Sequence, residues 1–240
     1  IDLIHGGVVG MTHGRNSKNV KELLKHHSIL SHAKIQTFVL DMWDPYHKAV
    51  QTLYPTAKIV IDKYHVIQKS NRALDQIRKG MQGEKNRKKH LKKGRFLFLK
   101  GMEKLDKKQR EKVDEFFNES PALAEDYYLK ELLRQVYQCS DQQKAKTEIN
   151  HWLNAAEQSS FPAFKELAKT IRNWFQEIMN YFEFGYTNGR TEGMNHKIKN
   201  IKRRAYGYRN LERFRMRVML ECVGNTRDLP FIEWLEIHAC

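Results

Sequence analysis

Glu192 heads the stretch FGYTNGRTEGMNHKIKNIKRRAYGYRN (184 to 210), and the charged side chains that follow it there are all cations: Lys197, Lys199, Lys202, Arg203, Arg204 and Arg209. A surface built only to bind a polyanion is weakened by a carboxylate at its head. Two roles would keep Glu192 in place. It can complement the helix dipole in a first turn, a contribution of about 0.3–1 kcal/mol, or it can hold a cation that the ligand needs. Hard divalent ions such as Mg²⁺ take carboxylate oxygens as protein ligands. In phosphodiester cleavage two such ions, about 3.5–4 Å apart, clamp the attacking and leaving oxygens. That chemistry calls for further acids brought to the same place.

Two candidates stand at the ends of expected strands. IQTFVLD (35 to 41) and AKIVID (57 to 62) are apolar, β-prone runs separated by a short helical segment. Asp44 reads as the N-cap of that helix, Pro45 as its first helical residue, and Pro55 as its close. Strand, helix and strand in this order are most simply parallel, which places Asp41 and Asp62 at C-terminal strand ends, where open α/β sheets bind ligands. Asp62 either joins such a site or caps the element that follows. For Asp41 the capping role is already filled by Asp44. His65 lies three residues beyond Asp62, and a histidine hydrogen-bonded to its neighbours is the commoner outcome there than a metal ligand.

Around Glu192, Asn188 and Gly189 are turn formers and Thr191 is an expected cap for a helix running to about Arg204. Glu192, Asn195 and Lys199 then fall at i, i+3 and i+7 and share a face. Lys202, Arg203, Arg204 and Arg209 read as phosphate contacts. Tyr206, Tyr208 and Phe214 interleave with these arginines and could stack on distorted or unpaired bases; for Phe214, packing in a second helix (about Leu211 to Cys222) is the stronger reading.

The rest of the chain must position these residues. Of 240 residues, 40% are hydrophobic, with four Trp, enough for a sizeable core. Lys and Arg number 43 against 28 acids, and the net +15 favours a polyanionic partner, most often nucleic acid. No segment approaches the roughly 20 apolar residues of a membrane span, so a soluble protein is expected. Cys139, Cys222 and Cys240 are far apart and form no C-x-x-C motif, which fits a reducing cytoplasm.

IHGGVVGM near the start is a short β-prone run, followed by an expected helix from about Ser17 to Leu30. From about Val66 to Phe182 the pattern is helical, with core stripes such as Phe164, Leu167, Ile171, Trp174, Ile178 and Tyr181, and Leu129, Leu132 or Leu133, and Val136. The basic run EKNRKKHLKKGR (84 to 95) suits a solvated face as well as a DNA contact. The helical block follows the second strand directly and reads as an insertion, giving three expected segments: 1–66, 67–182 and 183–240.

The segments VLDMWDPYHKAVQTLYPTAKIVIDKYHVIQKSNRALDQIR (39 to 78) and YFEFGYTNGRTEGMNHKIKNIKRRAYGYRNLERFRMRV (181 to 218) resemble the catalytic region of bacterial insertion-sequence transposases of the ISL-three family. The shared motifs are D-x-x-x-x-Y, then P-x-A-x-I-V-x-D-x-[FY]-H-V, then T-N-G-x-x-E-G-x-N-x-x-I-K-x-I-K-R-x-A-Y-G. The resemblance implies an α/β, ribonuclease-H-like core with an Asp, Asp, Glu triad holding Mg²⁺ or Mn²⁺, interrupted by a large all-α insertion before the Glu. It makes Asp41 the second triad acid and Glu192 the last, with Asp62 supporting the site. It further implies DNA as substrate and a homodimer or larger assembly on paired DNA ends. The first acid is expected on an opening strand ahead of this chain's start, with Asp2 a poor substitute, so a core incomplete at its N-terminus is expected. A DNA-binding remnant without activity, or a helical interaction scaffold, are the competing readings.

Overall fold

The structure, a computed structural model, describes residues 1, 7–14, 16–26, 35–82, 89–187 and 189–222, and within these the side chains of all but 81, 82 and 89–93. The expected strand at IHGGVVGM is described only from Gly7, a single bridge position followed by coil, and Asp2 lies outside the described residues. The fold is mostly helical, with a small two-stranded parallel sheet. It divides into two compact units, one drawing on Ile1–Lys58 and Thr187–Cys240, the other on Ile59–Tyr186.

In the first unit, helix α1 (Ser17–His26) packs on α2 (Asp44–Leu53), and strand β1 (Thr37–Leu40) packs on α2 as well. The expected helix beyond His26 falls on 27–34, outside the described residues. Strand β2 (Lys58–Ile61) pairs with β1, and Lys58 N–H donates to the Gln36 carbonyl at 2.8 Å. Ile59, Val60 and Ile61 are all buried, as expected of a β-branched run in a covered strand. The boundary between the units falls inside β2.

The start of α2 corrects one expectation. Trp43, with extended backbone and no side-chain capping bond, is the N-cap, and Asp44 is the first helical residue. The backbone turns one residue early, since Tyr46 and His47 already donate to the Trp43 carbonyl (3.0 and 3.3 Å). Asp44 acts through its charge in the first turn instead. Pro55 is compatible with the observed end at Leu53, where Tyr54 N–H donates back to Val50.

Helices α10 (Gly189–Arg204) and α11 (Leu211–Glu221) complete this unit and pack on each other. Along α10, Met194, Ile198 and Ile201 recur at four and three residues and supply its apolar stripe. They meet Phe214, Val218, Met219 and Cys222 over Val8, whose N–H donates to the Cys222 carbonyl at 2.9 Å. Phe214 is thus a core residue. Because α10 already turns at Gly189, Thr191 lies inside its first turn and is not the cap. Asn210 does cap α11, accepting from Arg213 N–H at 3.0 Å.

The second unit is helical after β2: α3 (Lys63–Gln82), α4 (Lys89–Leu99), a 3₁₀ turn (Met102–Lys104), α5 (Lys107–Glu119), α6 (Pro121–Val136), α7 (Gln142–Glu157), α8 (Pro162–Asn173) and α9 (Phe175–Phe184). Helix α3 packs against α4, α6 and α8, and α7 against α6, α8 and α9. The expected stripes are buried, except that Tyr181 is only half-buried and Leu132 faces out while Leu133 faces in, and the stripe from Phe164 is broken into α8 and α9 at Trp174. Asp106 and Asp141 cap α5 and α7, accepting from Gln109 and Lys144 N–H groups at 2.9 and 2.8 Å. Within this unit Asn180 on α9 donates to the Ile59 carbonyl of β2 at 2.7 Å, tying the strand to the helices.

Candidate functional site

Asp41 follows the last residue of β1 and is half-buried. Glu192 stands in the first turn of α10, also half-buried, and belongs to the same compact unit as Asp41. On the same face of α10, Asn195 and Lys199 are exposed. The carboxylate, amide and amine expected together along this helix are thus graded from half-buried to solvent-facing. Among the described residues no group of three or more His, Cys, Asp or Glu side chains is arranged to hold a metal ion.

Asp62 is different in kind. It directly follows β2, is only 3% exposed, and its carbonyl accepts His65 N–H at 3.1 Å as α3 begins. Tyr137, at the end of α6 in the same unit, lies within its electrostatic reach. Burial first, then the neighbouring Tyr181 and Asp62, hold the Tyr137 phenol well above its ordinary pKa. The Tyr137 hydroxyl is buried and makes no hydrogen bond among the described residues, while its ring stacks on Phe182 at 5.3 Å. Tyr137 was missed in the sequence, because no spacing rule links a helix C-terminus to a strand end 75 positions earlier in the chain.

The basic residues separate into two groups. Lys199, Lys202, Arg203 and Arg209 are exposed. Arg204, also expected to contact phosphate, is exposed and forms an ion pair with Glu221 on α11. Glu221 also pairs with Arg217, and its backbone carbonyl accepts from Lys197. The bond from Arg204, then that from Arg217, lowers the Glu221 carboxyl below its usual range. The reason is helix-to-helix packing: an acid near the end of α11 neutralises the cation at the end of α10.

Where α10 stops, the chain adopts an unusual conformation. Tyr206 N–H donates to the Arg203 carbonyl and Gly207 N–H to the Lys202 carbonyl, each at 3.0 Å. These are the two bonds of a Schellman cap with Tyr206 at its left-handed position, normally glycine's place. Tyr206 has φ of 51° and Gly207 follows at 104°. For a residue with a Cβ this backbone costs about 1–2 kcal/mol. The Tyr206 side chain is fully exposed, whereas Tyr208, two residues on, is half-buried and packs on Phe214 with ring centroids 5.0 Å apart. The sequence signal is the A-Y-G order, which puts glycine one residue later than a glycine-capped helix would.

Residues 1–218 match the ISL3-type DDE transposase family, described as transposase. The chain belongs to this family. Over 232 residues it is 28% identical to a transposase for insertion sequence element IS1001 from Bordetella parapertussis, covering 95% of this chain and 57% of that protein. Over 146 residues it is 30% identical to a transposase for insertion sequence element IS1557 from Mycobacterium tuberculosis, covering 61% of this chain and 33% of that protein. The chain therefore spans little more than half of the first relative's length and a third of the second's. No solved structure matches it. Among the described residues no helix is long and apolar enough to cross a membrane.

Proposed function

We propose that this chain carries the catalytic segment of an ISL3-family transposase, which cleaves phosphodiester bonds at the ends of an insertion sequence and joins the freed 3′-hydroxyl to target DNA. The observation that carries the reading is the placement of Asp41 and Glu192. Both are half-buried carboxylates in one compact unit, one at the C-terminal end of a strand and one opening the basic helix α10. Strand, crossover helix and parallel strand followed by a helical block are the pieces expected of a ribonuclease-H-like core with an all-α insertion, so we assign 1–66 and 183–240 to that core and 67–182 to the insertion.

Two carboxylates offer hard oxygen donors, which suit Mg²⁺ or Mn²⁺. Asp41 and Glu192 would hold the ion, and Asp62, buried beside Tyr137, would support the strand end without ligating. Bound divalent ions supply the activation of a nucleophilic oxygen and the neutralisation of charge building on the phosphate. The chain's own part is to place the strand: Asn195 and Lys199 on the Glu192 face reach the phosphate being cut, and Lys202, Arg203 and Arg209 hold the backbone beyond it. An assembly of two or more chains on paired ends would complete the reaction.

Mn²⁺ binding followed by electron paramagnetic resonance tests this reading. Asp41→Asn and Glu192→Gln are each expected to weaken Mn²⁺ binding at least tenfold, with DNA binding retained. Unchanged Mn²⁺ affinity in both variants would refute the assignment. DNA binding without cleavage is the second reading, favoured by the lack of any three-residue ligand group among the described residues. It predicts DNA affinity indifferent to Mg²⁺ and to Glu192→Gln.

A further inference from the structure

The loop between α10 and α11 presents Tyr206 in a manner that packing does not explain. Tyr206 takes the left-handed backbone position that glycine fills in most helix caps, and its side chain is fully exposed and makes no ring contact among the described residues. A strained residue that gains nothing from the fold is the kind of outlier from which a functional role is inferred. The surrounding loop is held firmly: the cap bonds fix its start, Tyr208 anchors it on Phe214, and Asn210 caps α11 at its end. Tyr206 is therefore a fixed projection. Lys202, Arg203 and Arg209, all exposed, lie within four residues of it in the chain.

We propose that Tyr206 is a stacking residue that receives the face of an unpaired base in the DNA bound by α10 and its loop. An aromatic ring on a basic surface gains little from intact duplex, whose base faces are covered by their neighbours. It gains much from a single strand, a flap or a displaced base, where each base offers a free π face. Tyr206 positions the strand while the neighbouring cations hold its phosphates. The three aromatic residues of this segment thus have separate roles, with Phe214 in the core, Tyr208 as the anchor and Tyr206 facing the ligand. The inference rests on the DNA-binding part of the proposed function and is independent of the metal site.

The test measures binding of the 240-residue chain to two labelled DNAs by fluorescence anisotropy, one a plain duplex and the other the same duplex with a short 3′ single-stranded flap. 2-Aminopurine in the flap reports stacking directly. Wild type is expected to prefer the flapped DNA and to quench 2-aminopurine. Tyr206→Phe keeps both properties, and Tyr206→Gly, which suits the backbone, loses the quenching and binds the flapped DNA roughly 5- to 100-fold more weakly, with less than a twofold change on duplex. Because Tyr206→Gly relieves strain, lost binding in that variant cannot be ascribed to misfolding. Flap binding and quenching unchanged in Tyr206→Gly would overturn the inference while leaving the DNA-binding reading standing. Wild type that binds neither DNA more tightly than a protein of equal charge would overturn both.

Discussion

Asp126, on α6, is 1% exposed, accepts a hydrogen bond from the Ser159 hydroxyl at 2.7 Å, and has a second oxygen with no partner among the described residues. Burial pushes its carboxyl up to about 6, the Ser159 bond opposing and the nearby Glu125 reinforcing the shift. The folded pKa lies above the unfolded one, so the native state holds a proton that the unfolded chain releases. This contribution is fully present below about pH 4 and is lost as pH rises through 6; two pH units correspond to about 3 kcal/mol. Asp75 and Glu103, lowered by their arginine and lysine partners, act in the opposite sense and weaken the fold only in stronger acid. Asp126→Asn is expected to raise the urea midpoint at pH 7 and to flatten its decline between pH 4 and 7. Parallel pH profiles for the two proteins would contradict this. Side-chain burial of this kind was not legible in the sequence, where Asp126 is one more acid in PALAEDYY, and neither was the burial of Asp62. Glu192 drew notice in the sequence because its charge stands against its surroundings.

Between elements, the clearest dependence runs from α6 to the end of α4. Lys130 is fully buried and donates to the carbonyls of Phe98 and Lys100, both at 2.8 Å, satisfying acceptors that the end of a helix leaves open. Glu131 pairs with Lys130 at 2.6 Å and accepts Met102 N–H at 3.1 Å, and Arg134 bridges Glu131 and Glu103. Burial pulls the Lys130 ammonium down to about 8 even with Glu131 beside it. Lys130→Met removes one partner of a buried pair and two hydrogen bonds to carbonyls, and a loss of about 3–5 kcal/mol is expected by urea unfolding. A loss under about 1 kcal/mol would mean that water replaces the ammonium. The helices and the two strands themselves were readable, because the apolar stripes from Phe164 and Leu129 and the run KIVI carry their periods openly. Helix starts were harder. Asp44 and Thr191 have capping side chains, yet in each case the backbone had begun to turn at an earlier residue, a choice made by main-chain hydrogen bonds that residue type does not reveal.

For the molecule as a whole, a net charge of +15 sets how binding should answer to salt. Each phosphate neutralised contributes about 0.9 to the slope of log affinity against log salt on duplex DNA. Replacing Lys202, Arg203 or Arg209 by Gln is expected to lower that slope by about one each, while Arg204→Gln, whose charge is already matched by Glu221, changes it by less than half as much and lowers thermal stability instead. Equal slopes for Arg203→Gln and Arg204→Gln would show that the ion pair opens on DNA. The resemblance of two motif-bearing segments pointed to the family to which the chain belongs. The pairing of Arg204 with Glu221 required the packing of α10 on α11.

The chain path through the two units also orders their birth. Ile59–Tyr186 is one uninterrupted segment, whereas the other unit needs residues from both sides of it. A ribosome therefore delivers the whole helical unit before the first residue of α10 exists, and contiguous, locally connected segments fold as they emerge. Asp41 must wait, already synthesised, for a helix encoded more than a hundred codons later. A chain released after Tyr186 but before α10 carries the helical unit without Glu192 or the basic loop, so the pairing of Asp41 with Glu192 in one unit exists only once synthesis has passed α10.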